Sequence, residues 1–316
     1  MTIFSAPRPE PAGGARTIED LFALAGYRDG LGAAPAALEK IRIAAHEAPY
    51  VENALMARVR LTPGSRAGRR LRFRVIARVV GEREFRRLDF QRAVERGIAD
   101  RADHSWRPAG EEAEVEFWAT LIDSEFFLAV RLTDERLRHR ESKVAHRPGS
   151  LRPSVAAALC WLTQPAAHDC LVDPMCGAGT ILLERAHMGR YAMIAGFDRD
   201  PDAIAAAREN IGPRYRPVGI ARGDAIRLPL RDGAASHLVT NLPWGTQYGS
   251  HGENRRLYPR LLAEFARVVR PGGRIVMLTA ERALMREVTE RARMHVESIR
   301  RVTILGAAAV VYVCSV

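Results

Sequence analysis

From Asp169 to the end of the chain, short β-prone runs alternate with helical patterns, and this alternation restricts the fold more than any other feature of the sequence. Asp169 to Asp173 predicts a strand, Thr180 to His187 a helix, Ala192 to Asp198 a strand, and Pro201 to Asn210 a helix with proline at a favourable first-turn position. Val218 to Ala221 and Ser236 to Thr240 follow as strands, Arg256 to Val269 as a helix, Gly273 to Thr279 as a strand and Glu281 to Arg293 as a helix. Val296 to Ile304 and Ala307 to Val313 complete the set. Parallel neighbours need crossover connections, which these helices supply. The expectation is an α/β domain with a seven-stranded, mostly parallel sheet, entered through a short helix over Ser154 to Leu162.

In an open sheet of this kind ligands bind beyond the carboxyl ends of the strands, and several chemically distinctive stretches fall there. Asp173-Pro174-Met175-Cys176-Gly177-Ala178-Gly179-Thr180 fits D-x-x-x-G-x-G at a strand-to-helix turn. Glycines let a ligand approach the backbone, and the helix amino terminus adds partial positive charge, so a nucleotide-like group is the natural occupant. Leu182, three positions after Gly179, argues against a dinucleotide, which wants a small residue there. Asp198 ends the next strand, 19 positions after Gly179, where a carboxylate can accept from both ribose hydroxyls. Asp224, in Gly223-Asp224-Ala225, follows the third strand and could accept from an adenine amine. Asn241-Leu242-Pro243-Trp244-Gly245 ends the fourth: an amide, a rigid turn and an aromatic plane that together can hold a planar base bearing an exocyclic amine.

The upstream half has a different character. Residues 1 to 16 are expected to be a disordered lead-in, and Thr17 to Ala25 a short helix capped by Thr17 with Glu19 and Asp20 in its first turn. Ala36 to Ala45 is helical in composition. Along Arg69 to Gly81, Leu71, Phe73, Val75 and Val79 alternate with Arg72, Arg74 and Arg78, which predicts a half-buried strand with a cationic outer face. Leu88 to Ala102 has helical spacing through Phe90, Val94 and Ile98, and strands are expected over Ala113 to Ile122 and Glu125 to Leu132. This is a small α+β domain. Of the net charge of +11, much is concentrated here: Arg58 to Arg92 holds twelve arginines against Glu82, Glu84 and Asp89. A second basic stretch, Arg136 to Arg152, is broken by Pro148 and Gly149 and reads as a linker. Two basic runs flanking one small domain favour a phosphate-bearing partner.

Four cysteines without paired spacing fit a reducing cytoplasm and no metal, and no apolar run approaches the roughly 18 residues of a membrane span, so a soluble protein is expected. Cys176 has no base implied beside it and is read as packing. His146 and His251 lie in loops that could border the proposed site, as surface residues or contacts to that partner, and Glu184 orients the glycine loop or offsets its charge.

On these motifs, residues 148 to 316 resemble the class I methyltransferases that use S-adenosylmethionine, with Asp173 to Thr180, Asp198, Asp224 and Asn241 to Gly245 at the positions of their motifs. Arg152-Pro153-Ser154 precedes the glycine loop, as does the extra cofactor motif of the RNA amino-methylating branch. Residues from about 58 to 147 look like a THUMP domain, an RNA-binding module, and Asn241 to Gly245 with Gly249, Ser250, His251, Asn254, Leu257 and Tyr258 look most like the THUMP-type tRNA guanine-N2-methyltransferases. The common motif has two prolines and an aromatic; here Leu242 replaces the first proline and Trp244 stands for Tyr. Residues 1 to 57 are short for the ferredoxin-like segment usual in the family, which is either abbreviated or begins upstream of this chain.

The resemblance implies a Rossmann-like class I methyltransferase domain behind a THUMP-like domain. It places S-adenosylmethionine against Ser154, Asp173, Cys176, Gly177, Gly179, Thr180, Asp198, Arg199, Asp224 and Ala225. Catalysis falls to Asn241, Leu242, Pro243 and Trp244, and tRNA contacts to Arg72, Arg74, Arg78, Arg86, Arg87, Arg138, Arg140 and Lys143. The expected reaction is formation of N2-methylguanosine in the tRNA acceptor stem. The motif itself accepts any exocyclic amine, so guanine of ribosomal RNA and adenine of DNA or RNA stay open, as does a non-catalytic RNA-binding protein with a drifted site.

Overall fold

The computed structural model describes residues 5, 14–62, 64–65, 70–101, 105–134, 145, 147, 149–245, 250–292 and 294–316. The chain divides into two compact units, Met1–Leu137 and Arg138–Val316. The first comprises β1 (Phe22–Arg28), α1 (Ala37–His46), α2 (Val51–Leu61), β2 (Leu71–Val80), α3 (Arg87–Arg101), β3 (Trp106–Pro108), β4 (Val115–Ile122) and β5 (Glu125–Arg131). Its sheet has the order β1-β5-β4-β2-β3, with β2 parallel to β3 and β4 and the remaining pairs antiparallel. The alternation in β2 is as the sequence predicts: Leu71, Phe73 and Val75 are buried while Arg72 and Arg78 are exposed.

Two expectations fail in this unit. Thr17 to Ala25 does not form a helix; the chain extends into β1, where Phe22 faces Arg131 and Ala23 faces Val130 on β5. Local composition is overridden by tertiary pairing: Leu21 N–H donates to Thr133 Oγ1, Asp20 forms an ion pair with Arg131, and the Phe22 ring lies 5.0 Å from that of Trp118. Nor do residues up to 57 form a region of their own. Ile41 and Ala45 of α1 and Val51 and Leu55 of α2 share one core with Phe73, Phe90, Phe117 and Leu128.

The second unit contains α4 (Pro153–Trp161), β6 (Cys170–Asp173), α5 (Thr180–His187), β7 (Met193–Asp198), α6 (Pro201–Ile211), β8 (Val218–Arg222), β9 (Ala235–Asn241), α7 (His251–Val268), β10 (Val269–Thr279), α8 (Arg282–Arg291), β11 (His295–Ile304) and β12 (Ala307–Ser315). They build the expected seven-stranded sheet, in the order β11-β12-β10-β9-β6-β7-β8, with β12 alone running against the other six strands. Both faces are covered, so successive strand residues enter different cores. Leu238, Ile275 and Met277 join Leu261, Phe265 and Met285 of α7 and α8, whereas Val239, Val276 and Leu278 join Leu159, Leu182 and Ile204 of α4, α5 and α6. The unit begins ahead of the expected residue 148 because Ala145 and Arg147 are tied into it. Asn210 exchanges two hydrogen bonds with Ala145, and Arg147 pairs with Asp200.

One buried charge needs explanation. The Arg185 side chain is about 1% exposed, and its guanidinium donates to Asp169 Oδ2 at 3.2 Å and to the carbonyls of Ala166, Gly189 and Arg190. Asp169 also accepts from Ala166 N–H and faces His237 Nε2 at 3.3 Å. Burial holds the His237 imidazole below its ordinary value. This cluster lies at the amino end of β6, away from the carboxyl edge where ligands bind, and serves the fold.

Candidate active site

β6 has β7 on one side and β9 on the other, so the connections leave the sheet in opposite directions from the β6/β9 boundary. A crevice opens at such a reversal, beyond the carboxyl ends of the strands. Asp173 closes β6 and Asn241 closes β9, one on each flank of this crevice. Asp198 closes β7, and Asp224 lies two residues past the end of β8 on the same edge. The structure thus gathers at one edge the stretches that the sequence separates by about 70 residues.

The glycine turn is held from β7. Cys176 N–H donates to Phe197 O at 2.9 Å, and Gly177 N–H to Asp198 Oδ2 at 2.9 Å. Asp198 Oδ1 accepts from Asp200 N–H at 3.0 Å. Both Asp198 oxygens therefore already hold backbone, and a ligand would share them through their remaining lone pairs. Gly179, with φ +78°, caps α5, and a Cβ there would meet Ala207 Cβ at 3.2 Å and Cα at 3.3 Å. Gly177, at φ +52°, faces open space where a side chain would project, the kind of cradle a nucleoside can enter. Thr180 and Ser154 are buried in the first turns of α5 and α4. Arg199 and Asp224 are exposed and Ala225 is buried, with Asp224 Oδ1 accepting from Ile226 N–H at 3.2 Å. Cys176 is 6% exposed and burial pushes its thiol well up, which removes it as a nucleophile.

Asp173 is 1% exposed, and burial pushes its carboxyl up to about 7, opposed in part by the Met175 N–H bond and reinforced by the charge of Asp198. The folded protein therefore holds this proton more tightly than the unfolded chain does, and stability is lost as pH rises toward 7, with the full cost present above it. Asp173→Asn is expected to melt at a higher temperature than wild type at pH 8 without added ligand. That advantage should shrink as pH falls from 7 toward about 4. Thermal melts across this range would refute the reading if the variant were the less stable protein at pH 8.

The Asn241 to Gly245 turn is bound more tightly than its sequence suggests. Trp244 Nε1–H donates to Asn241 Oδ1 at 3.0 Å, and the half-buried indole packs on the α4–α6 side of the sheet. Leu242 is 1% exposed and its N–H donates to Leu278 O at 2.9 Å, a bond that proline could not make. The restriction lost with the first proline is thus replaced by one more rung against β10. The Pro243 carbonyl accepts from Asn254 Nδ2 at 3.0 Å and Tyr258 Oη at 2.7 Å. Asn254 Nδ2 also donates to Glu281 Oε1 at 3.0 Å, and Glu281 Oε2 lies 2.6 Å from His251 Nδ1. Glu281 and Thr279 were not singled out from the sequence, although their place at the end of β10 was readable: Asn241 is in register with Leu278. His146 lies outside the described residues.

The cationic face of β2 is largely compensated. Arg72 pairs with Glu112 at 2.7 Å, Arg74 with Glu116 and Arg86 with Asp89 at 3.1 Å, so three of the expected RNA contacts carry carboxylate partners. Arg78 and Arg87 are exposed and form no ion pair among the described residues. Arg138, Arg140 and Lys143 lie outside the described residues. Among the described residues no cluster of His, Cys, Asp and Glu could hold a metal ion, and no helix is long and apolar enough to cross a membrane.

Sheet order, glycine turn and strand-end Asn-Leu-Pro-Trp together define an α/β methyltransferase fold. Residues 140–309 match the RMKL-like methyltransferase domain, and the chain belongs to that family. A tRNA (guanine(6)-N(2))-methyltransferase THUMP3 of Bos taurus is 34% identical over 226 residues, which cover 67% of this chain and 44% of the relative. A tRNA (guanine(6)-N2)-methyltransferase of Thermus thermophilus is 32% identical over 220 residues, covering 68% of this chain and 64% of the relative. The chain therefore matches less than two thirds of the length of either. The crystal structure of TrmN from Thermus thermophilus aligns with a TM-score of 0.79 at 27% identity, covering 99% of this chain and 88% of that one.

Proposed function

We propose that the protein is a cytoplasmic, S-adenosylmethionine-dependent methyltransferase that forms N2-methylguanosine in the acceptor stem of tRNA, with the first unit acting as a THUMP-like RNA-binding module. The observation that carries this reading is the meeting of two turns at one sheet reversal: the glycine turn after β6 and Asn241 to Gly245 after β9. The names of the similar proteins support guanine N2 and tRNA.

The residues of the cradle fit the cofactor. Gly177 leaves room beside the backbone, and Asp198 and the exposed Asp224 have acceptor capacity left for ribose hydroxyls and an adenine amine. Bound there, S-adenosylmethionine would supply an electrophilic methyl group on a sulfonium. The chain's own task is to present the other reactant. A guanine N2 amine is conjugated with its ring and nucleophiles of that kind are weak, so the protein must orient it and relieve the positive charge it gains. The second lone pair of Asn241 Oδ1 and the Leu242 carbonyl accept its two N–H bonds, while the Trp244 indole, held in place by Asn241, offers a face on which a flipped base stacks. The departing proton goes to water. Arg78 and Arg87 meet the RNA backbone first, and Arg72, Arg74 and Arg86 can share their guanidinium groups with phosphate.

Calorimetry with S-adenosylmethionine and filter binding of tRNA at several salt concentrations test this reading. Micromolar cofactor binding and RNA affinity that falls steeply with salt are expected. RNA binding without cofactor binding would favour a non-catalytic RNA-binding protein, and salt-independent affinity would remove the electrostatic argument.

A further inference from the structure

The Pro243 carbonyl receives both of its side-chain bonds from one helix, from Asn254 and from Tyr258 one turn later. Both residues are 0% exposed. The donor directions follow from chemistry alone. A carbonyl oxygen can only accept, so the single Tyr258 proton goes to Pro243 O. Thr279 Oγ1, 2.7 Å from Tyr258 Oη, must then donate to it, while accepting from Glu281 N–H at 2.9 Å. Both amide protons of Asn254 are likewise committed, one to Pro243 O and one to Glu281 Oε1. Glu281 is thus joined to that carbonyl twice, by a relay from its N–H through Thr279 and Tyr258 and by the Asn254 amide, which bridges its carboxylate to Pro243 O. The turn is also packed against them: at Gly245, φ +72°, an added Cβ would lie 2.7 Å from Glu281 Oε1 and 3.1 Å from Asn254 Nδ2.

This arrangement is a poor way simply to hold the sheet together. Asn254 Oδ1 is buried with no hydrogen-bond partner among the described residues, so the amide is desolvated for the sake of its two donations. Its target is the residue beside Leu242, whose own N–H is fixed to Leu278 O. The peptides on both sides of the Leu242 carbonyl are therefore pinned, one by β10 and one by the Asn254–Tyr258 pair.

We propose that Asn254, Tyr258 and Glu281, with Thr279, are positioning residues for methyl transfer: they fix the Pro243 carbonyl and so aim the Leu242 carbonyl and the Asn241 amide at the amine. The inference rests on the proposed function for its substrate. Tyr258→Phe in the full chain should lower kcat about tenfold while KM and Kd for S-adenosylmethionine stay within about twofold of wild type. Thr279→Val, at a side chain whose described hydrogen bonds go to Tyr258 and Glu281 and not to the turn, should lower kcat in the same direction, and the double variant should lose little more than Tyr258→Phe alone, because both break one relay. A structural readout stands beside the kinetics. With 5-fluorotryptophan incorporated and the Trp244 resonance assigned through Trp244→Phe, Tyr258→Phe and Thr279→Val should each move or broaden that resonance and leave those of Trp106, Trp118 and Trp161 in place.

Wild-type kcat in Tyr258→Phe, fully additive losses in the double variant, or a Trp244 resonance indifferent to both changes would overturn the proposal. Should wild type transfer no methyl group, the proposed function falls, and the fluorine spectra still decide whether the relays hold the turn.

Discussion

Asn241→Ala should reduce kcat for methyl transfer by about a hundredfold or more while leaving S-adenosylmethionine affinity within about twofold. The size follows from two functions carried by one oxygen. Asn241 Oδ1 takes the Trp244 indole N–H at 3.0 Å and, in the proposed reaction, one N–H of the amine. Alanine removes the acceptor that relieves developing positive charge and also frees the ring on which the base stacks. Trp244→Phe separates the two effects, since it keeps the acceptor and an aromatic face but loses the bond that orients it; its loss should be smaller. Among the described residues no hydrogen bond joins Asn241 to the glycine turn, whose bonds to other elements run to Phe197, Asp198 and Asn210. Cofactor affinity that falls in step with turnover would show that Asn241 supports the cofactor cradle instead.

The largest expected effect on stability is at Arg185. Arg185→Met should lower the free energy of unfolding by about 3–5 kcal/mol, the usual consequence of removing one member of a buried ion pair. Asp169 would keep its Ala166 N–H bond but lose the guanidinium, and His237, whose imidazole burial holds below its ordinary value, is a poor substitute for that charge. The carbonyls of Ala166, Gly189 and Arg190 would lose their donor as well. Chemical denaturation measures the loss. Because the cluster lies at the amino end of β6, the folded fraction of the variant should bind S-adenosylmethionine as wild type does. An unchanged denaturation midpoint would show that the pair contributes nothing net.

The second unit was legible because both of its signals are local. Alternating strand and helix patterns located every strand of the sheet, and a parallel sheet leaves few topologies for a glycine turn after its first strand. The first unit was less readable. Thr17 to Ala25 has helix-like composition, but its fate is decided by β5, more than 100 residues away, through Leu21, Asp20 and Phe22. The arginine-rich face is less cationic than Arg58 to Arg92 taken alone, for a related reason. Counting charge from Arg58 to Arg92 left out Glu112, Glu114 and Glu116, which parallel pairing of β2 with β4 sets beside Arg72 and Arg74. At the site, Asn241 to Gly245 stood out by residue type, whereas Glu281 and Thr279 did not. Their part is visible only once β9 and β10 are in register and α7 has brought Asn254 and Tyr258 to the same carbonyl.

The most direct test of the account is the identity of the methylated nucleoside. Unmodified tRNA incubated with the protein and S-adenosylmethionine labelled in its methyl group, then digested completely, should yield labelled N2-methylguanosine and no other labelled nucleoside. Label in N6-methyladenosine, or none in any tRNA, would contradict it.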